Sequence, residues 1–145
     1  MRPLYESSAD LEREGSVAAL LESEWSCKLV KLGIKYSLDF VITEQDTDKA
    51  IAFCEVKTRN YTMAQIGKFG GYLLSLGKWS AAKELCTASC LPFLLVVKTS
   101  DGLYYARFDD VFKPDAVHVR GRKDRGDDQD IEPCVLINVD RFTLV

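Results

Sequence analysis

The chain has 145 residues, of which 47% are hydrophobic and 28% are charged. A chain of this size and composition can bury its own core, so we expect residues 1–145 to form a single globular domain. The formal net charge is −3, which excludes a strongly basic protein that coats nucleic acid.

The charge is unevenly distributed along the sequence. Residues 56–83 contain no acidic residue and five basic ones, namely Lys57, Arg59, Lys68, Lys78 and Lys83. A locally basic face on an acidic protein can still bind a polyanion. The segment therefore keeps nucleic acid among the candidate ligands.

The cysteines and the apolar segments bear on the cellular compartment of the protein and on membrane association. The number of cysteines is odd, five, which in apolar surroundings is typical of reduced thiols in a cytoplasmic protein. Cys86 and Cys90 are four residues apart, but no second pair exists and His118 is the only histidine, so a zinc site is disfavoured. Residues 1–14 lack the apolar region of a signal peptide, and the apolar run at 91–97 is too short to cross a membrane. We expect no membrane association.

The first predicted element is an amphipathic helix that ends near Cys27. A polar residue within 7–10 can cap its beginning. Apolar residues then recur every three or four positions, as on the buried side of a helix. Glu14 lies on the same side as Val17 and Leu21, because residues three, four and seven apart share a face. A glutamate on the inward side is unusual and marks Glu14 as a candidate functional residue.

A polar turn between two apolar segments predicts a β-hairpin. Its strands are expected at 36–43 and 50–57, after a short strand at 28–32. The turn at 44–49 is rich in residues that favour turns. It contains several acids but lacks the glycine and the terminal glutamate of a calcium-binding loop, so calcium binding is disfavoured.

The second half of the chain predicts a helix followed by strands. After a loop at 58–62, a long helix is expected over 63–88, and Gly67, Gly70 and Gly71 interrupt it near its start. Such glycines allow close packing of the helix on the sheet or close approach of a ligand, and packing is favoured. Further strands are expected at 91–99, 103–108, 117–120 and 134–139, with a charged loop at 121–130.

This order of elements predicts an α/β fold with a central mixed β-sheet flanked by helices. The helix after the strand at 50–57 can cross over and place the strand at 93–98 parallel to it. Hairpins would add the antiparallel strands that make the sheet mixed.

Two carboxylates and a lysine are expected to meet at the end of the first hairpin. Asp39 lies on one strand, and Glu55 and Lys57 lie on the next, where the alternation of side chains points both to one face. Holding these charges beside an apolar sheet costs free energy unless they serve a purpose. Carboxylate oxygens suit Mg²⁺, and the backbone carbonyl of Val56 could add a third ligand. The alternative is a solvated ion pair at a strand end, which contributes at most about 1 kcal/mol.

The sequences Leu38-Asp39 and Glu55-Val56-Lys57 resemble the motif of the PD-(D/E)XK nuclease superfamily, which has the restriction-endonuclease-like fold. The family motif places an acid at the end of one strand and an acid, any residue and a lysine on the next. The resemblance covers about residues 10–100, and leucine replaces the proline of the motif. It implies an active site for phosphodiester hydrolysis.

The resemblance also implies further site residues. In relatives such as the archaeal-type Holliday-junction resolvases, a glutamate on the first helix joins the site, which implies Glu14 here, with Glu22 as the alternative. In RecB-like relatives, a glutamine on the helix after the lysine strand supports the lysine, and an aromatic residue follows four positions later. Gln65 and Phe69 match that pattern. The implied catalytic residues are Glu14, Asp39, Glu55 and Lys57, and the implied metal ligands are Glu14, Asp39, Glu55 and Val56.

We therefore expect a Mg²⁺-dependent deoxyribonuclease, in which Mn²⁺ can substitute, acting in recombination, repair or phage-type DNA processing. Arg59 and Lys68 suit phosphate contacts and ordinary surface charges equally well, and Lys78 is a further candidate contact. Few side chains suit base reading, which predicts selectivity for DNA structure or ends rather than for sequence. Tyr61 and Phe69 suit either packing or stacking on an unpaired base.

Other functions fit the same sequence. The chain could be a binding or assembly module that has lost cleavage, or a nuclease subunit that needs a protein partner to load it on DNA. A homodimer is expected for a small nuclease that must cut two strands. Metal-dependent cleavage by the purified chain separates these alternatives.

Overall fold

A helix and a three-stranded meander form the first part of the chain. The computed structural model describes residues 7–33, 38–109, 116–121 and 131–145. Helix α1 spans Ser8–Trp25, and strands β1, β2 and β3 span Cys27–Lys31, Phe40–Glu44 and Ala50–Thr58. The predicted strand at 36–43 thus begins later than expected, at Phe40, and residues 36 and 37 lie outside the described ranges.

Helix α1 begins and packs as its sequence predicts. Ser7 Oγ accepts a hydrogen bond from the Asp10 N–H at 3.2 Å, and the Asp10 carboxylate accepts one from the Ser7 N–H at 3.0 Å. This reciprocal pair is a capping box. Val17, Ala18 and Leu21 are buried against the sheet, which confirms the inward side of the helix.

Three later strands, β5 (Phe93–Lys98), β6 (Leu103–Phe108) and β9 (Thr143–Leu144), join the first three in the main sheet. The strand order is β1-β2-β3-β5-β6-β9. Strand β5 pairs parallel with β3, and every other neighbouring pair is antiparallel. The predicted α/β class with a mixed sheet and flanking helices is therefore confirmed.

The predicted long helix over 63–88 is wrong. The segment forms helix α2 (Met63–Lys68), strand β4 (Tyr72–Ser75) and helix α3 (Leu76–Ser89). Gly70 and Gly71 have φ angles of +100° and +134°, which end the first helix because other residues rarely adopt them. A Cβ atom on Gly71 would lie 2.5 Å from the carbonyl oxygen of Ile137. This glycine therefore allows close packing, but of the chain after α2 against a strand rather than of a helix on the sheet as expected.

Strand β4 belongs to a second sheet that the sequence did not predict. It pairs antiparallel with β8 (Ile131–Ile137), which pairs antiparallel with β7 (Ala116–Gly121). The predicted strands at 117–120 and 134–139 are thus present in a separate sheet, and most of the predicted loop at 121–130 lies outside the described residues. The second sheet and α3 cover the face of the main sheet opposite α1, where Tyr72, Trp79 and Val135 join one core.

Strand β3 separates two apolar layers. Ala52, Cys54 and Val56 pack on the α1 side with Val17 and Leu21. The alternate residues of the strand face the other layer, where Phe53 packs. Glu55 and Lys57 share the face of Phe53, opposite α1.

The cysteines are all free thiols. Four are buried, while Cys90 is exposed in the left-handed cap of α3. Cys86 is buried within α3, whereas Cys90 is exposed at the end of this helix. None of the helices in the described ranges is long and apolar enough to cross a membrane.

Candidate active site

Glu55 is a fully buried carboxylate near the end of β3, with 0% of its surface exposed. Its Oε1 lies 3.1 Å from Lys57 Nζ and 3.0 Å from Lys78 Nζ, at the start of α3. Neither carboxylate oxygen has a hydrogen bond of good geometry within the described part of the chain. Two ammonium groups compensate the charge of Glu55, and its lone pairs still have capacity for another ligand.

Lys57 stays protonated in this surrounding. Burial by itself lowers the pKa of Lys57, but the negative charge of Glu55 beside it acts the other way, with smaller contributions from Tyr72 and Asp39, and the net pKa is raised. A lysine with a raised pKa is a cation at neutral pH. Lys57 can therefore stabilise negative charge or donate a hydrogen bond, and it is a poor general base.

Asp39 lies beside the end of β3, as the hairpin predicts. Its Oδ2 accepts a hydrogen bond from the Val56 N–H at 2.9 Å, and its backbone carbonyl accepts one from the Leu32 N–H at 2.9 Å. Only 14% of its side chain is exposed. The N–H and carbonyl of one strand residue point to the same neighbouring strand, so the Val56 carbonyl also faces the Asp39 side.

Glu14 reaches the same region from α1. Its Oε1 accepts a hydrogen bond from Lys31 Nζ at 2.6 Å, and Lys31 Nζ lies 3.6 Å from Asp39 Oδ1. The alternative glutamate, Glu22, instead accepts a hydrogen bond from the Leu29 N–H at 3.1 Å. The structure thus brings Glu14, and not Glu22, towards Asp39.

Ion pairs divide the acidic residues into two groups. Asp39 and Glu14 share Lys31 in one group, and Glu55 contacts Lys57 and Lys78 in the other. Within the described residues, no three His, Cys, Asp or Glu side chains are arranged to hold a metal ion. The role of Glu14, Asp39, Glu55 and Val56 as metal ligands stays a prediction.

Two lysines of this arrangement were not predicted as part of the site. Lys31 lies opposite Phe40 in the pairing of β1 and β2, next to Asp39, and its position could have been found from that register. Lys78 was expected only as a phosphate contact, because the erroneous helix over 63–88 concealed that α3 begins beside Glu55.

Comparisons with known proteins identify the family of this chain. A family model described as "Phage putative PDDEXK endonuclease" matches residues 1–145. The chain belongs to this PD-(D/E)XK endonuclease family. No curated protein matches the sequence. The fold is similar to that of Hjc, a Holliday junction resolvase from the archaeal hyperthermophile Archaeoglobus fulgidus, with 15% identity, a TM-score of 0.43, and coverage of 63% of this chain and 73% of that chain.

The three predicted supporting residues of this PD-(D/E)XK protein lie after the lysine strand. Arg59 is half-buried, and its guanidinium lies 5.2 Å from the centre of the Tyr72 ring. Gln65 Oε1 accepts a hydrogen bond from the Thr62 N–H at 2.9 Å, which closes a capping box at the start of α2. Lys68 is exposed in the last turn of α2. Their roles in binding DNA or supporting Lys57 stay predictions.

Tyr61 and Phe69 form an exposed aromatic pair next to these residues. Their ring centroids are 5.2 Å apart in an edge-to-face arrangement. Tyr61 is 45% exposed and Phe69 is 65% exposed. The pair thus presents aromatic surface to solvent, and packing within the core does not account for it.

The buried thiol of Cys54, next to Glu55, gives the endonuclease a predictable loss of stability in alkali. Burial, with smaller contributions from Asp39 and Glu55, raises the pKa of Cys54 well above its ordinary value of 9.0. The folded chain then binds more protons than the unfolded chain above about pH 9, so the free energy of unfolding falls as the pH rises. We expect Cys54→Ala to reduce this slope by up to about 1.4 kcal/mol per pH unit.

Urea denaturation between pH 7 and pH 10.5 measures the slope. Cys90→Ala, which removes an exposed thiol, is the matched control and should leave it unchanged. An identical slope in the wild type and in Cys54→Ala would contradict the assignment to Cys54.

Proposed function

We propose that this chain is a Mg²⁺-dependent deoxyribonuclease, selective for DNA structure or ends, in which Mn²⁺ can replace Mg²⁺. The observation that carries the proposal is the hydrogen bond from the Val56 N–H to Asp39. It fixes one acid of the motif against the strand that holds Glu55 and Lys57. The membership in an endonuclease family supports the same reaction class.

The residues at this strand end fit a hard divalent cation. Glu55 has two buried oxygens without a well-formed hydrogen bond, and a cation is a suitable partner for such atoms. Asp39, Glu55 and the Val56 carbonyl would hold the metal, and Glu14 would complete its surroundings. When bound, the cation would polarise the phosphodiester and lower the pKa of a bound water.

The chain itself would position and stabilise the reacting groups. Lys57, held as an ammonium beside Glu55, would contact a phosphate oxygen and stabilise the charge that develops in the transition state. Lys78 would hold Glu55 in place from the other side. Asp39 would keep its orientation through the Val56 N–H, which reduces the reorganisation needed for the reaction.

Binding of DNA would rely on its phosphates. Residues 56–83 contain five bases and no acid. Arg59 and Lys68 are the two basic residues that follow Lys57 in this segment. We propose that these two residues contact the backbone, so that DNA affinity falls steeply as the salt concentration rises. Gln65 is proposed to support this end of the site.

The exposed pair Tyr61 and Phe69 predicts a preference for unpaired bases. The double variant Tyr61→Ala/Phe69→Ala is expected to weaken binding of single-stranded DNA about tenfold, because stacking of one base contributes about 1–3 kcal/mol. Fluorescence anisotropy in EDTA measures the affinity without cleavage. Leu20→Ala, which removes an exposed apolar side chain from α1, is the control. Equal losses on single-stranded and blunt duplex DNA would contradict the preference.

A cleavage assay tests the proposed function. Labelled linear, branched and single-stranded DNA is incubated with the purified chain and Mg²⁺, Mn²⁺ or EDTA. Cutting only with a divalent cation supports the proposal, and the preferred DNA gives the substrate. Failure to cut with either metal would favour a binding or assembly module, whereas cutting only after a protein partner is added would identify a subunit of a larger nuclease. Sedimentation of the same sample tests the proposed homodimer.

A further inference from the structure

Lys31 places one positive charge between two largely buried carboxylates. Its Nζ lies 2.6 Å from Glu14 Oε1 and 3.6 Å from Asp39 Oδ1. Glu14 is 11% exposed and Asp39 is 14% exposed, so solvent screens neither group well. Lys31 is thus the shared counter-ion of these two acids.

The position of Lys31 follows from three separate elements. The pairing of β1 with β2 sets Lys31 opposite Phe40, and the Lys31 ammonium lies 5.3 Å from the centre of the Phe40 ring. Asp39 directly precedes Phe40, and α1 brings Glu14 over the end of β1. These contacts fix the lysine on the same acids that would bind a divalent cation.

We propose that Lys31 is a positioning residue of the metal site, which neutralises Glu14 and Asp39 in the metal-free chain and is displaced when a divalent cation binds. This inference rests on the proposed function. Without a cation between them, the two carboxylates would repel each other. Lys31 keeps both acids in place before the metal arrives, but its ammonium competes with the metal for the same oxygens.

The competition between Lys31 and the metal predicts how removal of Lys31 changes the affinity for a divalent cation. A divalent cation must break the contacts of Lys31 with both acids and must also bind close to a remaining positive charge. Removing the charge of Lys31 should therefore tighten metal binding. Replacing a different lysine of β1 by a neutral residue should leave metal binding unchanged. The expected gain is about tenfold, because the Lys31 side chain is 42% exposed and solvent partly screens its charge.

Calorimetric titration with Mn²⁺ in the absence of DNA tests the inference. The samples are the wild type, Lys31→Met, Lys31→Arg, Asp39→Asn and the matched control Lys28→Met. Lys28 lies on the same strand but pairs with Asp48 in the turn before β3. We expect tighter binding by Lys31→Met, near wild-type binding by Lys31→Arg and Lys28→Met, and a strong loss in Asp39→Asn.

The outcomes separate this inference from the proposed function. If Asp39→Asn loses Mn²⁺ binding but Lys31→Met binds no more tightly than the wild type, the role of Lys31 is overturned and the metal site stands. If Asp39→Asn binds Mn²⁺ as the wild type does, the metal site and the inference are both overturned. Thermal unfolding of Lys31→Met adds a second readout: Mn²⁺ should raise its melting temperature more than that of the wild type. If Lys31→Met is unfolded without metal, Lys31→Gln replaces it in both measurements.

Discussion

Asp39→Asn is expected to lower the rate of metal-dependent DNA cleavage by about a thousandfold or more, because a metal ion supplies several kcal/mol of transition-state stabilisation. The asparagine side chain can still accept the hydrogen bond from the Val56 N–H, so the end of β3 should keep its conformation. The variant lacks the negative charge that would hold the cation. Single-turnover cleavage of the preferred DNA measures the effect.

Asp48→Asn is the control for this prediction. Asp48 is exposed in the turn before β3 and has a φ angle of +58°, which asparagine tolerates well. We expect this variant to cleave DNA like the wild type. Loss of cleavage in both variants would indicate a general effect of removing acidic charge, and retention in both would remove Asp39 from the site.

The double variant Lys57→Met/Lys78→Met is expected to lower the free energy of unfolding by about 3–5 kcal/mol, because it leaves the buried charge of Glu55 without a partner. Each single variant should cost less, since one ammonium remains near Glu55 Oε1. Urea denaturation near pH 7 measures all three proteins.

Adding Glu55→Gln to the double variant is the matched control. It removes the uncompensated charge at nearly constant volume and should recover most of the lost stability. A triple variant as unstable as the double variant would show that the lysines act through packing of their side chains. A double variant as stable as the wild type would contradict the ion pairs at Glu55.

The features of the site that could be predicted from the sequence are those set by residues close together in the chain. The apolar spacing of α1 identifies the side on which Glu14 lies. The polar turn between two apolar segments implies that Asp39 lies opposite Glu55, because a hairpin fixes its own register. Those relations hold over a few residues to a few tens of residues. The structure confirms the inward side of α1 and pairs Phe40 with Cys54, the residues next to Asp39 and Glu55.

The remainder depends on contacts between distant segments. The segment 72–75 reads as part of a helix, yet it pairs with β8 about sixty residues later, and that pairing overrides the local preference. The positive φ angles of Gly70 and Gly71 end α2, but the close approach of Gly71 to Ile137 depends on the tertiary fold. Once the helix is divided, α3 begins beside Glu55, and Lys78 enters the site.

The contacts of the Lys31 side chain also could not be predicted from the sequence. Its strand could be predicted, but its contact with Glu14 requires the packing of α1 on β1, and its contact with Asp39 requires the pairing of β1 with β2. The family motif does not mention this position. Only the folded arrangement shows that the acids have a lysine between them.

Mg²⁺-dependent cleavage of labelled DNA by the wild type, Lys57→Met and the control Lys49→Met tests whether the end of β3 is the active site. Lys49 is an exposed lysine just before β3, at the opposite end from Glu55. We expect the wild type and Lys49→Met to cut DNA only when the metal is present, and Lys57→Met to cut at least about a hundredfold more slowly. Metal-dependent cutting by Lys57→Met at the wild-type rate would contradict the assignment of the active site to the end of β3.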